Sequence, residues 1–179
     1  RPMLSLMGCK LFEKDFQKAL PAALCVEYFH NFSLIHDDIM DAAPLRRGQA
    51  TIHQKWNQNI AILSGDVLLV KAYELLSGYD AETFLALFKV FNRTAVEVCE
   101  GQQMDMDFES RSDVTEAEYM EMIRLKTSVL LGCALQMGAV IGNAGATNEA
   151  LIYEFGTQLG LAFQIQDDLL DLFGDQTLV

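Results

Sequence analysis

The chain has 179 residues, 51% of them hydrophobic, and 13 lysines and arginines stand against 25 aspartates and glutamates, a formal net charge of −12 at pH 7. That apolar fraction at that length suffices for a sizeable core and excludes a disordered chain. The acidic excess works against non-specific binding to nucleic acid or an anionic membrane surface, both polyanions, and at first sight against anionic small substrates as well.

In chain order, the start Arg1-Pro2-Met3-Leu4 carries one charge and a brief apolar run broken by Lys10, which does not read as a secretory leader. The four cysteines, Cys9, Cys25, Cys99 and Cys133, are widely spaced in apolar stretches with no C-x-x-C pair. They read as buried free thiols in a reducing compartment. Prolines occur only at positions 2, 21 and 44, and the apolar residues between and after them recur at helical spacing. Asn57 to Leu76 reads as one amphipathic helix, and Phe84, Phe88, Phe91, Ala95 and Val98 form the stripe of another. Thr115 to Gly142 reads as a third, opened by a capping box of Thr115 and Glu118. Gly78 and Asn143 to Gly145 are stop signals, and a last helix is expected from near Asn148 to Phe173. Nothing alternates with period two, so the fold class is all-α, a bundle of six or more helices without an expected sheet.

The stretch Thr127 to Asn148 has no charge and is just long enough to cross a bilayer. It contains Gln136, Asn143, Asn148 and four glycines, so a buried central helix is the better reading and no membrane span is expected. Gly138 and Gly142, with Ala134 and Ala146, give it a small face against which a neighbouring backbone can approach closely.

Two acidic clusters carry the chemistry: Asp37-Asp38-Ile39-Met40-Asp41 and Asp167-Asp168-Leu169-Leu170-Asp171. On a helix, residues i and i+4 share a face about 6 Å apart along the axis, so Asp37 with Asp41, and Asp167 with Asp171, each form a two-carboxylate claw. A single such cluster is most simply a solvated helix end, but two copies embedded in apolar helices need something to offset their charge. Mg²⁺ binds through one or two carboxylates plus substrate phosphates, so two facing claws suit a metal-bridged phosphate ester. Basic residues lie where that reading wants them: Arg46 and Arg47 follow the first claw, and Lys126 opens the uncharged run. His30 lies two turns before Asp37 on nearly the same face, and Gln164 one turn before the second cluster.

The ordered set His30-x-x-Ser33-Leu34-x-His36-Asp37-Asp38-x-x-Asp41, Leu45-Arg46-Arg47-Gly48, Leu63-Ser64-Gly65-Asp66, Gly101-Gln102, Lys126-Thr127 and Phe163-Gln164-x-Gln166-Asp167-Asp168-x-x-Asp171 covers nearly the whole chain. It resembles the trans-isoprenyl diphosphate synthases, the polyprenyl synthetase family that includes farnesyl and geranylgeranyl diphosphate synthases. The resemblance implies the isoprenoid synthase helical bundle with a central active-site cavity. It also implies a cytoplasmic homodimer and head-to-tail condensation of an allylic diphosphate with isopentenyl diphosphate, releasing pyrophosphate. By position, Asp37, Asp41, Asp167, Asp168 and Asp171 resemble the ligands of two or three Mg²⁺ ions bridging the allylic diphosphate. Arg46, Lys126 and Gln164 resemble allylic-diphosphate contacts, and Arg1, His30 and Arg47 isopentenyl-diphosphate contacts. In the family, dipoles around Lys126, Thr127 and Gln164 are thought to steady the allylic cation.

The residue five before the first aspartate commonly floors the product cavity in this family. Here it is Phe32, beside Ser33, which points to short products, geranylgeranyl or farnesyl. A class I terpene cyclase shares the fold and first cluster but usually carries a different second element, and a non-catalytic subunit of a heteromeric synthase typically loses a cluster that this chain keeps. A di-metal carboxylate bundle would need a second partner for Glu27-x-x-His30, and the sequence has none. His36 is expected to hydrogen-bond locally and His53 to be structural. At 179 residues the chain is short for the family, so residues 1–179 are expected to be one isoprenoid-synthase domain lacking its N-terminal start and C-terminal end.

Overall fold

The computed structural model describes residues 1–174, so the segment that ends at Leu178-Val179 lies outside the described residues. The chain folds into helices α1 (Pro2–Lys10), α2 (Leu20–Met40), α3 (Ile52–Lys55), α4 (Gln58–Leu76), α5 (Ala81–Phe108), α6 (Glu116–Ile123), α7 (Val129–Ile141) and α8 (Ala146–Phe173). The all-α expectation holds, and the helix starts follow local chemistry. Asn57 caps α4 by accepting from the Ile60 N–H at 2.9 Å, and Asp80 caps α5 through the Glu82 and Thr83 N–H groups. The Thr115–Glu118 capping box is present on α6, with both reciprocal bonds made.

Two features depart from the sequence pattern. A short antiparallel hairpin, β1 (Leu45–Arg46) and β2 (Gln49–Ala50), pairs Leu45 with Ala50 and Arg46 with Gln49. Its turn residues Arg47 and Gly48 both have positive φ, 53° and 74°, the signature of a type I′ turn. Strands of two residues are too short to show a period. The second departure is that the helix expected over Thr115 to Gly142 is interrupted: residues Arg124–Ser128 form a π-helical turn between α6 and α7. Such turns displace side chains from the regular helical faces and are frequent at functional sites.

Helix α7 is the buried centre. Val129, Cys133, Ala134, Met137 and Ala139 are fully buried, and the apolar stretch Glu116–Ile141, though long enough for a membrane, is mostly packed inside the protein. Its small face serves close packing as expected, since a Cβ on Gly138 would fall 2.1 Å from the Ser5 carbonyl oxygen of α1. Phe29 of α2 and Phe91 of α5 meet edge to face in the core, with centroids 5.4 Å apart. Cys9, Cys25 and Cys133 are buried free thiols as read from the sequence, and burial pushes all three up. Cys99 differs: it is exposed, on a face of α5 that borders a cavity.

Candidate active site

Helix α2 delivers the first acidic cluster at its C-terminal end, where Asp41 closes the last turn. The expected claw is joined by Asp38, which is the most buried of the three. The charge is offset by residues brought from elsewhere. Arg46, on the hairpin, donates Nε–H to Asp38 Oδ1 at 2.6 Å and a terminal N–H to Asp37 Oδ2 at 3.1 Å. Lys126, in the π turn, lies 3.2 Å from Asp37 Oδ1 and donates to Asp105 Oδ2 at 2.5 Å. Gly101 permits this approach: a Cβ there would sit 2.3 Å from the Lys126 backbone nitrogen.

Asp41 pairs with no cation within 4 Å among the described residues. Partial desolvation, and then the neighbouring Asp37 charge, hold its carboxyl above the ordinary aspartate value. Asp41, without a cation partner beside the like charge of Asp37, is the carboxylate of this cluster that a divalent cation would neutralise. Among the described residues no three acidic, histidine or cysteine side chains are grouped so as to hold a metal ion by themselves.

The second cluster lies on the last turns of α8. Asp167 and Asp171 are exposed, whereas Asp168 is half-buried with both oxygens occupied. Tyr119 of α6 donates its hydroxyl to Oδ2, and Gln164 donates its amide N–H to Oδ1 at 2.8 Å. Gln164 in turn accepts from the Thr127 hydroxyl at 3.0 Å. Burial and the bond to Asp168 push the Tyr119 phenol up to about 12, so it stays protonated and donates.

Arg1 and His30 form the third part. An Arg1 guanidinium N–H lies 2.8 Å from His30 Nε2, and burial first, then the Arg1 charge, lower the imidazole to about 3. The ring is therefore neutral and accepts. Arg47 lies in the same positive neighbourhood, among the charges that depress His30.

Of these groups, Arg1, His30, Asp37, Lys126 and Thr127 border one or both of two adjoining cavities. The polar one, about 100 Å³, is lined by Arg1, His30, Asp37, Gln102, Lys126 and Thr127. The apolar one, about 160 Å³, is lined by Phe32, Met40, Cys99 and Met106 among others, and Ser33, Asp37, Val98 and Gln102 face both. A third cavity, about 430 Å³, lies beyond Phe32, whose ring borders it together with Phe29, Tyr73 and Val96.

His36 does not bond locally as expected. It reaches across to α4, to the Ile62 carbonyl at 3.3 Å and Asp66 at 3.6 Å, over a gap that Gly65 leaves open. Asp105, Gln102 and Tyr119 carry no role in the sequence reading. Gln102 has a buried amide nitrogen without a protein partner at the cavity wall. Asp105 is 21 residues from Lys126 and Tyr119 is 49 from Asp168, separations at which no sequence period operates.

An all-α bundle with two Asp-Asp-x-x-Asp clusters, tied together through one π turn, defines the isoprenoid synthase class. The chain belongs to the polyprenyl synthetase family, whose sequence pattern (Polyprenyl synthetase) it matches over residues 1–178. It is 44% identical over 174 residues to the geranylgeranyl diphosphate synthase of Methanosarcina mazei, covering 96% of this chain and 54% of that protein. A crystal structure of a geranylgeranyl pyrophosphate synthase superposes with a TM-score of 0.95 at 57% identity, over 97% of this chain and 53% of the other. A polyprenyl synthase from Caulobacter crescentus, complexed with calcium and isoprenyl diphosphate, superposes with a TM-score of 0.88 at 30% identity, over 95% of this chain and 51% of that one. The chain thus spans about half the length of the relatives it matches.

Proposed function

We propose that the protein containing this chain is a Mg²⁺-dependent trans-prenyltransferase that condenses an allylic diphosphate with isopentenyl diphosphate and releases pyrophosphate. The observation that carries this reading is the junction of the two cavities. A cationic, hydrogen-bonding chamber opens at Asp37 and Ser33 onto an apolar one, matching a substrate with a diphosphate head and a hydrocarbon tail.

Asp37, Asp41, Asp167 and Asp171 are the residues that would hold two or three Mg²⁺ ions, and Asp168 lies beside them. When bound there, Mg²⁺ supplies charge neutralisation for the departing pyrophosphate. Arg46 and Lys126, now paired with Asp37, stand ready to share their charge with the allylic diphosphate, while Arg1, Arg47 and neutral His30 receive the isopentenyl diphosphate. Thr127 and Gln164 direct dipoles at the allylic cation, and the apolar chamber keeps water from it. The Phe32 floor favours geranylgeranyl or farnesyl products.

A homodimer is supported by the apolar stripe Leu63, Val67 and Val70, which α4 exposes at 64%, 57% and 67%. The domain reading, that residues 1–179 are the core of a larger isoprenoid-synthase domain, is supported by the groove of about 560 Å³ that Met7 and Leu11 of α1 form with Phe155 and Leu159 of α8. A cytoplasmic location accords with the buried α7 and the free thiols.

The test is incubation of a full-length version with isopentenyl diphosphate, each allylic diphosphate and Mg²⁺, followed by chromatography of the products. Mg²⁺-dependent chain elongation is the expected result, and its absence with every primer would overturn the reading.

A further inference from the structure

The bonds around Asp168 form one chain of defined direction. A carboxylate at neutral pH accepts hydrogen bonds and donates none. Asp168 therefore requires a hydrogen on each of its two partners, the Tyr119 hydroxyl and the Gln164 amide. With its NH₂ committed to Asp168, Gln164 can offer only its carbonyl oxygen to Thr127, and the Thr127 hydroxyl must donate to it. A hydroxyl has one proton, so Thr127 Oγ1 is left with its lone pairs for the cavity that it lines with Asp37 and Lys126. Without the carboxylate at its far end, the Gln164 amide could turn over and the Thr127 proton could swing into the cavity, opposing a developing cation instead of stabilising it.

We propose that Tyr119 is a positioning residue which, through Asp168 and Gln164, sets the polarity of the Thr127 hydroxyl at the reacting end of the cavity, and that Asp168 serves this hydrogen-bond chain and not the metal. The proposal rests on the prenyltransferase reading above. It divides the second cluster into two jobs. Asp167 and Asp171 are exposed and make no side-chain hydrogen bond among the described residues, which leaves them for the metal, while Asp168 is held by Tyr119 of α6 and by Gln164.

Two measurements on the full-length protein decide it. The first is Mn²⁺ binding in the presence of inorganic pyrophosphate, followed by the electron paramagnetic resonance signal of the free ion. Tyr119→Phe and Asp168→Asn should bind Mn²⁺ within twofold of the unaltered protein, and Asp167→Asn at least tenfold more weakly. The second is steady-state kinetics, in which Tyr119→Phe and Asp168→Asn should each lower kcat about tenfold with both KM values within twofold, and the double variant should be no worse than Asp168→Asn alone. Asp168→Asn weakening Mn²⁺ as much as Asp167→Asn would overturn the assignment, and so would an unchanged kcat in Tyr119→Phe. If the unaltered protein elongates no primer, the prenyltransferase reading itself fails, while the Mn²⁺ titration still decides whether Asp168 is a ligand.

Discussion

Lys126 and Thr127 are consecutive, yet their side chains reach opposite acidic clusters: Lys126 pairs with Asp37 of α2 at 3.2 Å, and Thr127 donates to Gln164 of α8 at 3.0 Å. On a regular helix, neighbours diverge by about 100° around the axis, which suits one residue facing each wall of a cleft. The π turn at Arg124–Ser128 sets that fork between the two clusters, and Gly101 lets α5 press against it.

Gly101→Ala tests that contact. The added methyl would meet the Lys126 nitrogen and the Leu125 carbonyl carbon at 2.3 and 2.7 Å, both backbone atoms that cannot swing aside. The expected cost is about 1–3 kcal/mol of stability, measured by urea unfolding, together with a loss of turnover larger than stability alone explains at temperatures where the variant is fully folded.

Asp41→Asn separates folding from metal binding. Because the folded protein holds the Asp41 proton more tightly than an unfolded chain would, the ionised side chain destabilises the metal-free fold at neutral pH. That cost disappears as pH falls below the ordinary aspartate value of 3.8. The variant should therefore melt at the same or a higher temperature without metal, lose the rise in melting temperature brought by Mg²⁺ with pyrophosphate, and lose turnover about 100-fold. Thermal melts with and without Mg²⁺ and pyrophosphate, beside an elongation assay, check all three.

His30 should leave a pH signature. Its folded value lies at about 3 against an ordinary 6.5, so the unfolded chain takes up the proton first as pH falls. The stability contributed by neutral, buried His30 is complete above 6.5 and declines as pH falls from there toward 3. One such group gives a slope of up to about 1.4 kcal/mol per pH unit. His30→Gln should flatten that part of the stability profile, read by urea unfolding between pH 4 and 7, and should raise the KM for isopentenyl diphosphate more than that for the allylic substrate.

Phe32→Ala should lengthen the product. The ring separates the cavity beside Asp37 from the larger one bordered by Phe29, Tyr73 and Val96, and removing it joins the two. Chromatography should show products at least one isoprene unit longer, and an unchanged product distribution would remove Phe32 from this role.

What was legible in the sequence was whatever depends on near neighbours. The helices α4, α5 and α8, the Thr115–Glu118 capping box and the i,i+4 geometry of each acidic claw are set within one or two turns, so spacing reveals them. The lysine opening an uncharged run also marked Lys126 before any fold was known. The initial objection to anionic substrates is answered by the same residues, since six of the 25 acidic groups lie in the two clusters, beside Arg46, Arg47 and Lys126. Tertiary structure alone decided the partners: Arg46 on Asp38, Asp105 on Lys126, Tyr119 on Asp168 and His36 on α4. These contacts join residues that packing brings together across the bundle, and whether a carboxylate meets a metal, an arginine or a phenol depends on how the helices cross and where the π turn shifts their faces.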